Sequence, residues 1–235
     1  MKYLLGFTSL VAILLVALPG PLYKFNVMEL GPAFTALRWG VYAGIAALVL
    51  FFVQIIFLRK NMSWAIAGVS VLMAIVAIAL PVSIMSKAKT VPPIHDISTD
   101  LNTPPKFIAI APIRANAPNP VEYPGEETAQ QQREAYPQLV TQKYTQDTDA
   151  LFDAALAAVN DFGWALVNAD KSQGIIEATD STAWFGFKDD VVIRITSANS
   201  QTLLDVRSKS RVGRSDLGKN AERINLLIEH INETL

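Results

Sequence analysis

Three long apolar runs occupy the first 85 residues, and they constrain the chain more than anything that follows. Tyr3 to Leu18 is unbroken behind Lys2; Trp39 to Leu58 holds Gln54 as its one strongly polar residue; Trp64 to Met85 carries no charge. Crossing the hydrocarbon of a bilayer takes about 20 apolar residues. The second and third runs meet that length. The first is shorter and reads as a retained anchor or as a signal peptide with Lys2 as its basic end. Its exit, Val-Ala-Leu-Pro-Gly, is a poor cleavage site, which favours the anchor. Tyr3, Tyr23, Trp39 and Trp64 stand near the ends of the runs, where amphipathic rings settle at the interface. Pro81 is expected to kink or stop the third helix.

The short basic loop Arg59-Lys60-Asn61-Met62 is expected to stay cytoplasmic. Three spans starting inside leave the C-terminus outside. Two spans after a cleaved signal do the same, so an extracytoplasmic C-terminal region follows from either reading. No ionisable residue lies within the runs to mark an ion path. Gln54 reads as an amide satisfied by a neighbouring helix.

Composition removes several chemistries. The net charge is -1, so no global basic field points to nucleic acid. There is no cysteine, which excludes disulfides, thiolate catalysis and cysteine-ligated metals. The two histidines, His95 and His230, are far apart, so a histidine-rich metal site is not expected, and neither is a cofactor.

The chain divides into a membrane anchor (1–86), a proline-rich extended arm (87–146) and an α+β soluble domain (147–235). Eight prolines between Lys87 and Pro124 favour extended backbone, with one short strand expected at Phe107 to Ile110. From Asp147 to Gly163 the residues Leu151, Ala155, Val159 and Phe162 fall on one helical stripe, capped by Thr148 or Asp149. Four strands then alternate in period 2: Trp164 to Ala169, Gly174 to Thr179, Asp190 to Ser197 and Thr202 to Val212. Asp216 caps a last helix whose stripe is Ile224, Leu227, Ile228, Ile231 and Leu235. The predicted fold is two-layer, a four-strand antiparallel meander flanked by helices, with one sheet face covered and the other polar.

Three clusters are candidate sites. Arg207, Ser208, Ser210, Arg211, Arg214 and Ser215 crowd a corner before the last helix, where guanidinium groups and backbone N–H groups could hold an anion. The structural alternative pairs the arginines with Glu177, Asp190 or Asp205 across strands. Trp184, Phe185 and Phe187 form either a hydrophobic lip for a lipid or protein partner, or core plugs. His95 and Asp96 could be an acid–base pair, and Asp180, Asp189 and Asp190 could take a divalent cation; polar turns are the alternative for both.

The run SRVGRSDLGKNAERI, from Ser210 to Ile224, with Val206, Arg207 and Ser208 before it and Asp189, Asp190 and Val191 upstream, resembles the family called domain of unknown function 1499. The segments IHDISTDLNTPPKF and DSTAWFGFKDD look like a membrane-anchored bacterial branch of it. The resemblance covers about the last two thirds of the chain and implies a fold grouping, not an activity. Many relatives open with a cysteine-containing segment that is absent here, so a function tied to those thiols does not carry over. No GxSxG, HExxH or phosphate-loop pattern occurs. The leading expectation is an inner-membrane envelope protein presenting a binding module for a partner, lipid or other anion. The alternative is a membrane-tethered hydrolase or metal-dependent enzyme using His95 and nearby acids.

Overall fold

The computed structural model describes residues 2–235. It forms two compact units: the described residues up to Lys89 with Ala183–Gly186, and Thr90–Thr182 with Phe187–Leu235.

The first unit is helical. Helix α1 (Lys2–Ala17), the short α2 (Pro19–Lys24), α3 (Leu30–Phe57) and α4 (Trp64–Ala88) follow in order, with a 3-10 turn at Arg59–Asn61 between α3 and α4. Three stretches, Tyr3–Lys24, Leu30–Phe57 and Trp64–Ala88, are long and apolar enough to cross a membrane. Pro81 does not stop α4, which runs on to Ala88.

The contacts between these helices are made by small residues, because a lipid-like solvent offers helices no hydrophobic reason to associate and close backbone approach must supply the attraction. Gly40 and Gly44 divide this task on α3. A Cβ on Gly40 would lie 2.6 Å from Val16 Cγ2 and 3.2 Å from the Ala12 carbonyl of α1. A Cβ on Gly44 would lie 2.9 Å from Ile78 Cγ1 and 3.1 Å from the Ala74 carbonyl of α4. One Gly-x-x-x-Gly spacing thus seats two different helices. Ser9, Gln54 and Ser70 are buried within the bundle.

The second unit is α+β, as the alternation predicts, but its sheet has six strands rather than four. Its elements are β1 (Asp96–Ser98), α5 (Ile110–Ile113), α6 (Glu126–Ala135), β2 (Gln142–Tyr144), α7 (Thr148–Asp161), β3 (Ala165–Asp170), β4 (Ile175–Ser181), β5 (Lys188–Ala198), β6 (Gln201–Ser210) and α8 (Lys219–Thr234). Strands β3 to β6 are the expected meander. Asn199 and Ser200 both adopt positive φ in the two-residue turn between β5 and β6, the geometry that matches strand twist. The two unexpected strands both pair antiparallel with β6: β1 sets Asp96 opposite Lys209, and β2 sets Gln142 opposite Leu204. Three residues are too few to show a period, so neither was legible as a strand. The expected strand at Phe107 to Ile110 is absent; the backbone there bends into α5.

Helices α7 and α8 cover one sheet face. Leu151, Ala155 and Val159 meet Ile224, Leu227 and Ile231 over Ile176, Ile193, Leu204 and Val206. Leu235, assigned to that stripe from its spacing, is 41% exposed at the chain end. The α7 cap is Asp147, one residue before the expected positions, and its carboxylate accepts from Ala150 N at 2.7 Å. Gly218, at φ 79°, is the cap position of α8, while the Asp216 carboxylate accepts from Gly218 N and Asn220 N, both at 2.8 Å.

The opposite sheet face corrects the sequence-based expectation. It is polar but not open: the proline-rich stretch folds over it, and Phe107, Ile110 and Val192 are buried together against Val121, Val167 and Ile175.

Candidate functional site

Burying a charged sheet face under an arm is costly unless each charge finds a partner. On β6, Asp205, Arg207 and Lys209 point to that face while Leu204, Val206, Ser208 and Ser210 point to the helices, as period 2 requires. Two carboxylates organise the face. Asp96, fully buried, accepts from Arg207 Nε and Nη2 at 2.9 Å each and from Lys209 Nζ at 2.8 Å. Asp190, also fully buried, accepts from Arg114 Nη1 at 3.0 Å, from Arg211 Nε and Nη2 at 2.8 Å, and from Thr179 Oγ1 at 2.7 Å.

The same cations hold the arm by its carbonyls. Arg207 donates to Pro105 O and Val121 O, Lys209 to Glu122 O, and Arg114 to Asn119 O. The Arg114 and Arg207 guanidinium carbons lie 5.6 and 4.9 Å from the Phe107 ring centre, and Arg207 lies 5.5 Å from that of Tyr123. A third carboxylate, Glu177, receives the backbone N–H groups of Ile108, Ala109 and Ile110 at the start of α5. That capture explains why Phe107 to Ile110 turns rather than extends.

Burial sets the electrostatics here. Desolvation, with Arg207 and Arg114 nearby, lowers the Lys209 ammonium from its ordinary value, although Asp96 opposes the shift. Burial, reinforced by Asp96, pushes the Tyr123 hydroxyl up to about 12. Burial, then Lys209, lowers the His95 imidazole.

The six corner residues do not converge. Arg207 and Arg211 are engaged by Asp96 and Asp190. Ser208 and Ser210 lie on the other side of the sheet, bonded to Asn220 at 2.7 and 3.1 Å. Ser215 Oγ accepts from Leu217 N at 3.2 Å, and Arg214 is exposed. His95 precedes β1 and Asp96 opens it, with the Asp96 carboxylate taken up by Arg207 and Lys209, so the two do not form one acid–base pair; Asp180 and Asp189 instead receive Arg223 at 2.7 Å. Among the described residues no cluster of three or more side chains could hold a metal ion.

The three aromatics are not an exposed lip. Trp184 and Phe185 belong to the first unit, where Trp184 Nε1 donates to Ala17 O at 3.1 Å and Phe185 is buried near Tyr23 and Phe34. Phe187 belongs to the second unit and is half-buried.

A concavity of the second unit is open to solvent. It lies where β1 gives way to β2 along β6, has a volume of about 590 Å³, and is lined by Thr99, Asp100, Asn102, Arg133, Tyr136 and Lys143 among others. Its wall is fixed by Gln132, whose amide accepts from Ser98 N at 3.0 Å and donates to Ser98 O at 2.7 Å. The side chain therefore imitates a neighbouring strand and closes the β1 edge. Its floor is fixed by Asp205, which accepts from Thr99 Oγ1, Thr141 Oγ1 and Arg194. Sequence reasoning did not single out Gln132 or Arg114, and it named Glu177 only as a cross-strand partner for an arginine, not as the acceptor of the Ile108 to Ile110 backbone. Arg114 alone carried a signal, as the one basic residue between Lys106 and Arg133.

The architecture is thus a helical unit with three candidate membrane spans joined to an α+β domain locked by buried ion pairs. The chain belongs to the family described as protein of unknown function DUF1499, whose model matches residues 96–231. No curated protein matches it. The matched stretch begins at Asp96 and so takes in the arm and β1, which the buried ion pairs make inseparable from the sheet.

Proposed function

We propose that this protein is a non-enzymatic inner-membrane envelope protein whose α+β domain faces the extracytoplasmic side and binds an extended segment of a partner protein in the groove between β1 and β2. The observation that carries this reading is the use of the charges. Arg207 and Arg211, the arginines central to an anion cradle, and Asp96, the acid of a catalytic pair, are engaged in buried ion pairs beneath the arm, whereas the groove presents Asn102, Arg133, Tyr136 and Lys143 over a floor already satisfied. A rigid wall with adaptable polar groups and an aromatic ring suits recognition. Charge disfavours an anionic surface as partner for this domain: residues 90–235 hold 13 basic and 20 acidic side chains. The basic loop Arg59–Met62 supports the orientation.

Two measurements test this. A phosphatase active only outside the cytoplasm, fused after Leu235, is expected to be active; activity of a cytosol-restricted reporter at that site refutes the topology. A photo-crosslinking residue at Lys143, in the full chain in its native membrane, is expected to give one discrete adduct that the same residue at Asp153, on the exposed side of α7, does not give. Equal adducts at both positions refute the groove.

A further inference from the structure

The first unit carries a second concavity, independent of the groove in the α+β domain. It runs between α1 and α3, has a volume of about 790 Å³, and is lined by Val11 and Leu15 on α1 and by Thr35, Trp39, Tyr42 and Ala43 on α3, among others. Trp39 and Tyr42 are 60% and 52% exposed and meet edge to face at 5.7 Å.

Its depth follows from the sequence. The uncharged stretch Trp39 to Leu58 is bounded by Arg38 at one end and by Arg59 and Lys60 at the other. That stretch matches the roughly 20 residues needed to cross the hydrocarbon, so the charged ends mark the two interfaces. At about 1.5 Å per residue, the groove begins about 9 Å on the headgroup side of Arg38, at Pro32, and ends about 12 Å inside the hydrocarbon, at Ala46. It therefore straddles the headgroup–acyl boundary, with the amphipathic rings of Trp39 and Tyr42 just below it.

Charge defines the occupant. Arg38 is exposed on the helical column beside the groove, three residues from Thr35 and four from Tyr42. Residues 1–89 contain seven basic side chains and one acid, Glu29, which lies before α3, so none of the three long helices supplies Arg38 with a carboxylate. An apolar channel with a guanidinium beside it at the headgroup–acyl boundary matches a phospholipid: one acyl chain in the part of the groove below Arg38 and the phosphate on Arg38, which guanidinium can bind through two donors.

We infer that the α1–α3 groove is a binding site for one anionic phospholipid, with Arg38 as its headgroup contact and Trp39, Tyr42 and Ala43 as its acyl wall. The test is native mass spectrometry of the full chain in detergent, titrated with phosphatidylglycerol or phosphatidylcholine of matched chains. One phosphatidylglycerol is expected to stay bound, preferred about fivefold over phosphatidylcholine, the increment of a single basic residue at an anionic headgroup. Arg38→Gln should abolish the preference, Arg38→Lys should keep most of it, and Ala43→Phe, which fills the groove, should lower retention of both lipids. Thermal unfolding of the same samples identifies any variant that misfolds, and Arg38→Gln at a surface position serves if Ala43→Phe does. Equal retention of the two lipids by the native chain, or unchanged preference in Arg38→Gln, overturns the assignment.

Discussion

Replacing Asp96 by alanine tests the claim that the arm and the sheet form one cooperative body. Asp96 is the acceptor for three donor atoms of Arg207 and Lys209, and all three side chains are at most 3% exposed. Its loss leaves two cations buried without their counter-charge. Breaking a buried ion pair from one side costs about 3–5 kcal/mol. At about 2–4 °C per kcal/mol for a protein of this size, the melting midpoint of the α+β domain should fall by roughly 6–20 °C. The assay is thermal unfolding of the full chain in detergent, followed by near-ultraviolet circular dichroism, with limited proteolysis to show whether residues 99–124 are released first. Two controls sharpen it. Glu126→Ala, which removes an exposed pair with Arg133, should leave the midpoint unmoved. The triple variant Asp96→Leu with Arg207→Met and Lys209→Met should recover only part of the loss, since it avoids the desolvation of all three charges but leaves Pro105 O, Val121 O and Glu122 O without their donors. A midpoint shift in Asp96→Ala no larger than that of Glu126→Ala refutes the reasoning, as would unchanged proteolysis of the arm.

Three further outcomes follow from particular contacts. Gln132→Ala should destabilise the domain by about 1–3 kcal/mol, since it strips Ser98 N–H of its buried acceptor; amide exchange at Ser98 should rise sharply, and unchanged exchange would show that the edge is closed by something else. Gly40→Leu should weaken the α1–α3 packing by about 1–3 kcal/mol through overpacking against Val16, read as a lower midpoint of the helical unit; Gly68→Leu, with nothing within 4 Å of its built Cβ, is the matched control. His95 has a folded pKa below its ordinary 6.5, because burial and Lys209 disfavour its charged form. Its contribution is therefore present above pH 6.5 and lost as pH falls toward the folded value, so His95→Gln should flatten the decline in stability below pH 6.5. Asp216 runs the other way: burial raises its folded pKa above 3.8, so its contribution is present below that value and lost as pH rises through the folded one. A pH profile unaltered in His95→Gln would remove histidine from the linkage.

Much of this protein is written locally. The three apolar runs set the candidate spans because length and hydropathy are properties of contiguous residues, and α3 needs no partner to be recognised as one. Strands β3 to β6 and helices α7 and α8 were equally legible, since each repeats its apolar positions several times at period 2 or 3.6. The match of spaced residues from Val206 to Ile224 placed the family for the same reason. Tertiary structure alone decided where the charges went. The Arg211–Asp190 pair is one of the cross-strand pairings open to the sequence, but the acceptor of Arg207 is Asp96, more than a hundred residues away, and no periodicity links those two. Strands β1 and β2 are three residues each and exist because β6 offers them an edge. The proline-rich stretch reads as an extended arm along a surface because proline specifies only extended backbone; it becomes a layer of the domain because buried cations bind its carbonyl groups. Short-range pattern chose the elements, and desolvation, which makes every buried charge seek a distant partner, chose how they closed.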